Sequence, residues 1–204
     1  MDLFTTLFST GWASGINAYA TVAILGIVGR AGVGDIPDQL QSDPVIAVAS
    51  VMYLIEFVTD KIPYVDTLWD SVHTVIRPAV ASAIGGVYGV DADLDSVDEA
   101  FAVGGSGLTA LASHTVKAAI RIGINTSPEP ASNIIASLGE DVAVAGVTLL
   151  VVENPEPAAV IAAVCLVLGI ALVIFIAKRI RRGWLAYRRW RDRRRGPPVE
   201  NRGP

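Results

Sequence analysis

Cysteine is almost absent. Cys165 is the only one in 204 residues, so no intramolecular disulfide can form, and its purely apolar surroundings give it a packing role. Charge is scarce as well: 18% of the residues are charged and 52% are apolar, where a soluble domain carries about a quarter charged. Basic residues are missing from most of the chain. Of the 16 Lys and Arg, 11 lie in residues 178–204, leaving 5 basic against 18 acidic residues in everything before. The opening MDLFTTLFSTGW lacks the basic n-region of a cleaved signal peptide, so the first apolar run is expected to be retained. No H-E-x-x-H or comparable ligand spacing occurs. No cofactor is assigned, and the chain is not expected to be an enzyme.

What is present is a series of long apolar runs, at residues 3–29, 44–59, 67–90, 101–125, 132–152 and 157–177. Most reach the roughly 20 residues that a helix needs to cross the hydrocarbon core. They predict an all-α, polytopic membrane protein of about six transmembrane helices. The second run is near 16 residues, which makes it a short, tilted or broken helix. Residues 1–177 form the expected membrane domain, and 178–204 a basic cytoplasmic tail, disordered from about residue 196.

The arginine-rich tail is expected to stay in the cytoplasm. Six crossings then place both termini inside, in the inner (plasma) membrane. Loops on the outer side would hold Asp35, Asp38, Asp43, Asp91, Asp93, Asp95, Asp98, Glu99, Glu153 and Glu156. Arg30 is the only base among them.

Polar residues inside the runs recur at helical spacing. Thr10, Ser14, Asn17 and Thr21 follow i, i+4, i+7, i+11, with Gly11 and Gly15 as a small-xxx-small pair for close helix approach. Asn17 is expected to face a polar cavity. Asp66, Asp70, His73 and Arg77 repeat the same spacing, which puts Arg77 on the order of 15 Å deep. Pro78 follows and predicts a kink. His114, Lys117 and Arg121 share a third face. Asn133, Ser137 and Glu140 line a fourth, with Asp141 adjacent. In the tail, Arg181, Arg182, Trp184, Tyr187 and Trp190 read as an interfacial anchor on anionic headgroups, and no nucleic-acid partner is expected.

The two halves share a weak order of features. Residues 13–24 (ASGINAYATVAI) can be laid on 112–122 (ASHTVKAAIRI). Each is followed by a proline-bearing connection, Ile36–Pro37 in one half and 127–130 in the other. A carboxylate pair comes next, Glu56 with Asp60 and Glu140 with Asp141. Repeats at 3–90 and 101–177 would be a 3+3 inverted plan with short or broken second and fifth helices, and transporter sites lie where such repeats meet.

SGINAY at 14–19, EFVTDKIPYVD at 56–66 with the following HTVIRP, and SHTVKAAIRIGINTSPEPASN at 113–133 carry a likeness to a known family. In these motifs the chain resembles a bacterial integral-membrane family catalogued as domain of unknown function 4126. The resemblance covers about residues 7 to 155 and implies a multi-pass membrane protein. It implies no activity.

Ionisable groups within membrane segments are costly and rarely face lipid. The expected polar centre comprises Glu56, Asp60, Asp70, His73, Arg77, His114, Lys117, Arg121, Glu140 and Asp141, in a vestibule open to the cytoplasm. A charge-paired core would add little net stability, because desolvation offsets attraction. The leading expectation is a transporter or channel for a small ion or solute, with carboxylates as cation or proton sites and the histidines as relays. The alternatives are an anion or lipid-headgroup site at the Arg/Lys/His cluster, and a non-transporting scaffold. Self-association is left open.

Overall fold

A computed structural model describes residues 3–126 and 130–194, leaving aside the side chains of 130 and 192–194. The described residues form six helices and no strand: α1 (Leu3–Arg30), α2 (Asp43–Thr59), α3 (Val65–Asp91), α4 (Ser96–Ile124), α5 (Pro130–Glu153) and α6 (Pro155–Arg194). The first five match the apolar runs to within a few residues. The tail does not separate from the sixth run. α6 continues through it and is 40 residues long in all, about 60 Å at helical rise. The 127–130 connection lies mostly outside the described residues, and so does the stretch expected to be disordered from residue 196.

Local chemistry accounts for the ends. Pro44 stands in the first turn of α2, where its missing N–H is no loss. The Asp95 carboxylate caps α4, accepting from the Val97 and Asp98 amides at 2.9 Å. Tyr64 takes φ 68° just before α3, so chain reversal there relies on a left-handed residue that is not glycine. α3 runs through Pro78 without interruption.

The break falls elsewhere. Asn17 has φ −149° and ψ 96° in the middle of α1, and its Oδ1 accepts from the Ala20 amide at 2.9 Å. This is an N-cap inside a helix. Residues 3–16 and 18–30 are two half-helices, each about 20 Å long.

Contacts fix the direction of each half. Gly11 packs on Ser106 and Gly15 on Ala110 and Ser113, so the first half runs parallel to α4. α3 and α4 form an antiparallel hairpin, with Asp66 beside Asn125 and Gly85 against Ala102. α5 starts level with the end of α4, where Asn133 donates to Asn125 at 3.0 Å. α5 then descends about 28 Å to Val152, which packs against Gly34. Gly34 follows α1 by only four residues, so the second half of α1 returns to the end from which the first half set out. α6 starts at that same end and runs beside α4, placing Gly169 on Val116 and Gly123 on Ile176.

One end of the bundle therefore gathers Leu3, the 31–42 connection, the Asp91–Asp95 turn and the α5–α6 turn, and it is acidic. The other holds the Lys61–Tyr64 turn, Asn125 and the basic extension of α6. Leu3 and Arg194 lie at opposite ends, where six straight crossings would have put them together. The inverted-repeat plan requires α1 to oppose α4, and only the second half of α1 does so. α2 is short as expected, at 17 residues, while α5 is unbroken.

Burial is inverted relative to a soluble protein. Arg77 and Arg121 are among the largest fully buried side chains, while Val75, Phe101 and Val142 are each about three-quarters exposed. Such a surface suits lipid, and α1, α5 and α6 are long and apolar enough to cross a membrane. α3 and α4 carry more charge because they line the centre. Small residues make the close packing there. A Cβ at Gly15 would meet Ser113 and the Ala110 carbonyl.

Candidate functional site

Three cations organise the centre. Arg77 on α3 is fully buried. Its Nη2 lies 2.8 Å from Glu56 Oε1 and 3.0 Å from Asp70 Oδ1. Lys117 on α4 has its Nζ 2.6 Å from Asp60 Oδ2, 3.5 Å from Glu140 Oε2, 3.7 Å from Glu56 Oε1 and 3.9 Å from Asp70 Oδ1. Arg121, one turn on, grips Glu140 with Nη2 at 2.5 Å and Nε at 3.3 Å, and its Nη1 donates to the Asp60 carbonyl at 2.8 Å. It also lies 3.7 Å from Asp66 Oδ2. The α3 and α4 stripes thus meet face to face, and α2 and α5 each deliver carboxylates to the same line of cations.

The break in α1 adds two backbone acceptors. Lys117 donates to Ile16 O at 3.0 Å, and Arg77 approaches Gly15 O at 3.4 Å. These carbonyls lack intrahelical partners because the helix is interrupted at Asn17. The expectation that the Asn17 side chain faces a cavity is corrected: its oxygen is committed to Ala20, and the backbone beside it serves the site.

The two histidines have different jobs. Arg77 donates to His114 Nδ1 at 2.7 Å. An arginine cannot accept, so His114 is neutral with its proton on Nε2, which donates to Thr74 Oγ1 at 3.1 Å. His73 has the opposite tautomer. Its Nδ1 donates to the Trp69 carbonyl at 2.7 Å, and its Nε2 accepts from the Tyr19 hydroxyl at 3.0 Å. Trp69 stacks on His73 at 4.5 Å between ring centroids.

Five carboxylates (Glu56, Asp60, Asp66, Asp70 and Glu140) face these three cations, so the fully ionised cluster holds an excess of two negative charges. Glu56 Oε2, Asp60 Oδ1, Asp66 Oδ2 and Asp70 Oδ2 are buried and receive no hydrogen bond. Unsatisfied buried acceptors are expensive, so these oxygens call for a proton, a cation or water. They are strung out along the cations, and among the described residues no group of three His, Cys, Asp or Glu could hold a metal ion.

Asp141 lies outside this cluster. It pairs with Lys61 at 3.6 Å, and Lys61 also donates to Ser137 at 3.1 Å and sits over the Phe57 ring. The tail residues Arg181, Arg182, Trp184, Tyr187 and Trp190 lie far from the centre, on the extension of α6. Tyr187 stacks there on Trp190 and Arg188 covers Trp184. Among the described residues a wide vestibule is not seen. The centre is closed, with a cavity of about 120 Å³ beside Lys117 and Glu140.

Sequence reading missed Tyr19, Asn125 and Asp66 as site residues. Asp66 could have been found, since it begins the stripe that ends at Arg77. Asn125 fixes Asp66 and Asn133 from a helix terminus, and nothing in its spacing announces that. Tyr19 meets His73 only because α1 bends.

No curated protein and no solved structure matches the chain. Residues 4–174 match the family described as DUF4126, domain of unknown function, and the chain belongs to that family.

Proposed function

We propose that the protein is an integral membrane transporter or channel that moves protons through the charged centre. The observation that carries this reading is the surplus of buried carboxylate, five against three cations, with oxygens that receive no hydrogen bond. A proton neutralises such an oxygen without needing ligands to converge, which fits the strung-out arrangement better than a metal ion does. The alternative of an anion or lipid-headgroup site loses support from the same geometry. Arg77, Lys117 and Arg121 are each already engaged by carboxylates, and none is left to take a phosphate.

The reading places the acidic end outside and the basic end in the cytoplasm of a plasma membrane, following the distribution of Lys and Arg. With α1 folded back, the chain then crosses five times, the N-terminus is outside and the tail inside. Arg181 and Arg182, the first arginines past the apolar part of α6, would meet anionic headgroups.

The test is proton flux into liposomes holding the purified protein. Glu56→Gln and Asp60→Asn should abolish flux in protein that remains folded. Flux retained in both variants would sink the reading.

A further inference from the structure

The cavity beside the centre is walled by four helices, with Trp12 and Ile16 from α1, Lys117 from α4, Glu140 from α5, and Cys165 and Gly169 from α6. At about 120 Å³ it has room for water, with Ser113, Lys117 and Glu140 as polar partners on otherwise apolar walls. It matters because of what it touches. The side chains of Glu56, Asp60, Asp66 and Asp70 are at most 5% exposed, whereas the Glu140 side chain keeps 19% of its surface. Glu140 is the carboxylate of the cluster that faces both ways.

Its inner oxygen is placed to pass on a change of charge. Glu140 Oε2 touches Arg121 at 2.5 Å and Lys117 at 3.5 Å. The same Lys117 ammonium lies within 4 Å of Asp60, Glu56 and Asp70. The charged groups around Glu140 are Lys117 and Arg121 from α4, Asp60 and Lys61 from the end of α2, and Asp141 on its own helix. Cys165 faces it from α6. When Glu140 becomes a neutral acid it competes less for Lys117, and the ammonium is released toward the three deeper carboxylates.

We propose that this cavity is the port through which the centre exchanges protons, and that Glu140 is the group that receives them. A hydronium ion in the cavity gives its proton to the Glu140 carboxylate, leaving water and a carboxylic acid. The reverse transfer returns the proton to cavity water. The proposal rests on the transport reading for its purpose, though not for its chemistry.

The single cysteine supplies the experiment. Full-length protein in lipid vesicles is treated with a small, negatively charged methanethiosulfonate. Labelling of Cys165 is read by mass spectrometry, and protonation of carboxyl groups by infrared difference spectra after a pH jump. The expected results are that Cys165 is labelled in the folded protein and that labelling slows the carboxyl signal. The reagent should have no effect on the signal of Cys165→Ala. The signal should be lost in Glu140→Gln and shifted in Glu140→Asp, which covers failure of the glutamine variant to fold. A Cys165 that stays unlabelled, or a signal untouched by both Glu140 variants, overturns the proposal. Proton flux on the same vesicles separates the two claims. Absent flux with the labelling and infrared results as expected removes the transport reading and leaves the port.

Discussion

Arg77 donates a hydrogen bond to His114 Nδ1 at 2.7 Å, and that one contact decides the protonation pattern of the ring. His114 is an acceptor for a guanidinium that also holds Glu56 and Asp70. His73, one helical turn before Arg77, is wired to Tyr19 instead.

Opposite tautomers are therefore expected at the two histidines. Nitrogen-15 spectra of labelled protein should show a protonated Nε2 and bare Nδ1 at His114, and the reverse at His73. Tyr19→Phe should move only the His73 signals. The same tautomer at both rings would contradict the network.

Asn17→Ala removes the cap at the break in α1. Loss of such a cap costs about 0.5–2 kcal/mol, and thermal unfolding in detergent should register it. Asn17→Ser keeps a capping oxygen and should recover most of the loss. An alanine variant as stable as the parent would mean the break does not depend on this side chain.

Ion pairs in this protein should differ sharply in worth. Arg77→Ala takes the nearest cation from the buried Glu56 and Asp70 and should cost about 3–5 kcal/mol. Asp141→Asn loosens the partly exposed pair with Lys61 and should cost less than about 1 kcal/mol. Chemical unfolding of the two variants side by side measures the contrast.

Helix approach gives a fourth expectation. Gly15→Ala forces a methyl group into Ser113 and the Ala110 carbonyl, and overpacking of this kind costs about 1–3 kcal/mol. Gly104→Ala meets nothing within 4 Å and, inside α4, should gain about 0.5–1 kcal/mol from helix propensity in the same melt.

The fold-back of α1 predicts that the two ends of the chain are reached from opposite faces of the membrane. A tag at the N-terminus and one at the C-terminus should differ in access to an impermeant reagent in sealed vesicles. Equal access would restore an even number of crossings.

The helices were legible because apolar length and polar spacing are local properties. The Asp66–Arg77 and His114–Arg121 stripes emerged from the sequence on the faces that the structure buries. The break at Asn17 was not legible. A cap inside a run of Ser, Thr and Ala looks like one more hydroxyl-rich packing position, with neither Pro nor Gly at the break itself. Nor could charge counting have revealed the fold-back. Six straight crossings, or five plus a returning α1, leave every loop from Asp35 to Glu156 on the same side. Only the position of Leu3 changes, and the residues beside it carry no basic charge to report it.

The return of α1 to its starting face has a mechanical consequence. A helix that spans a membrane is anchored at both surfaces, whereas both ends of α1 are tethered at one. Its tip, with the Gly15 and Ile16 carbonyls held by Arg77 and Lys117, is anchored by buried cations instead of by the second surface. Those carbonyls are also the negative pole of the first half-helix. A shift of charge among the buried acids therefore acts on the anchor of α1 itself.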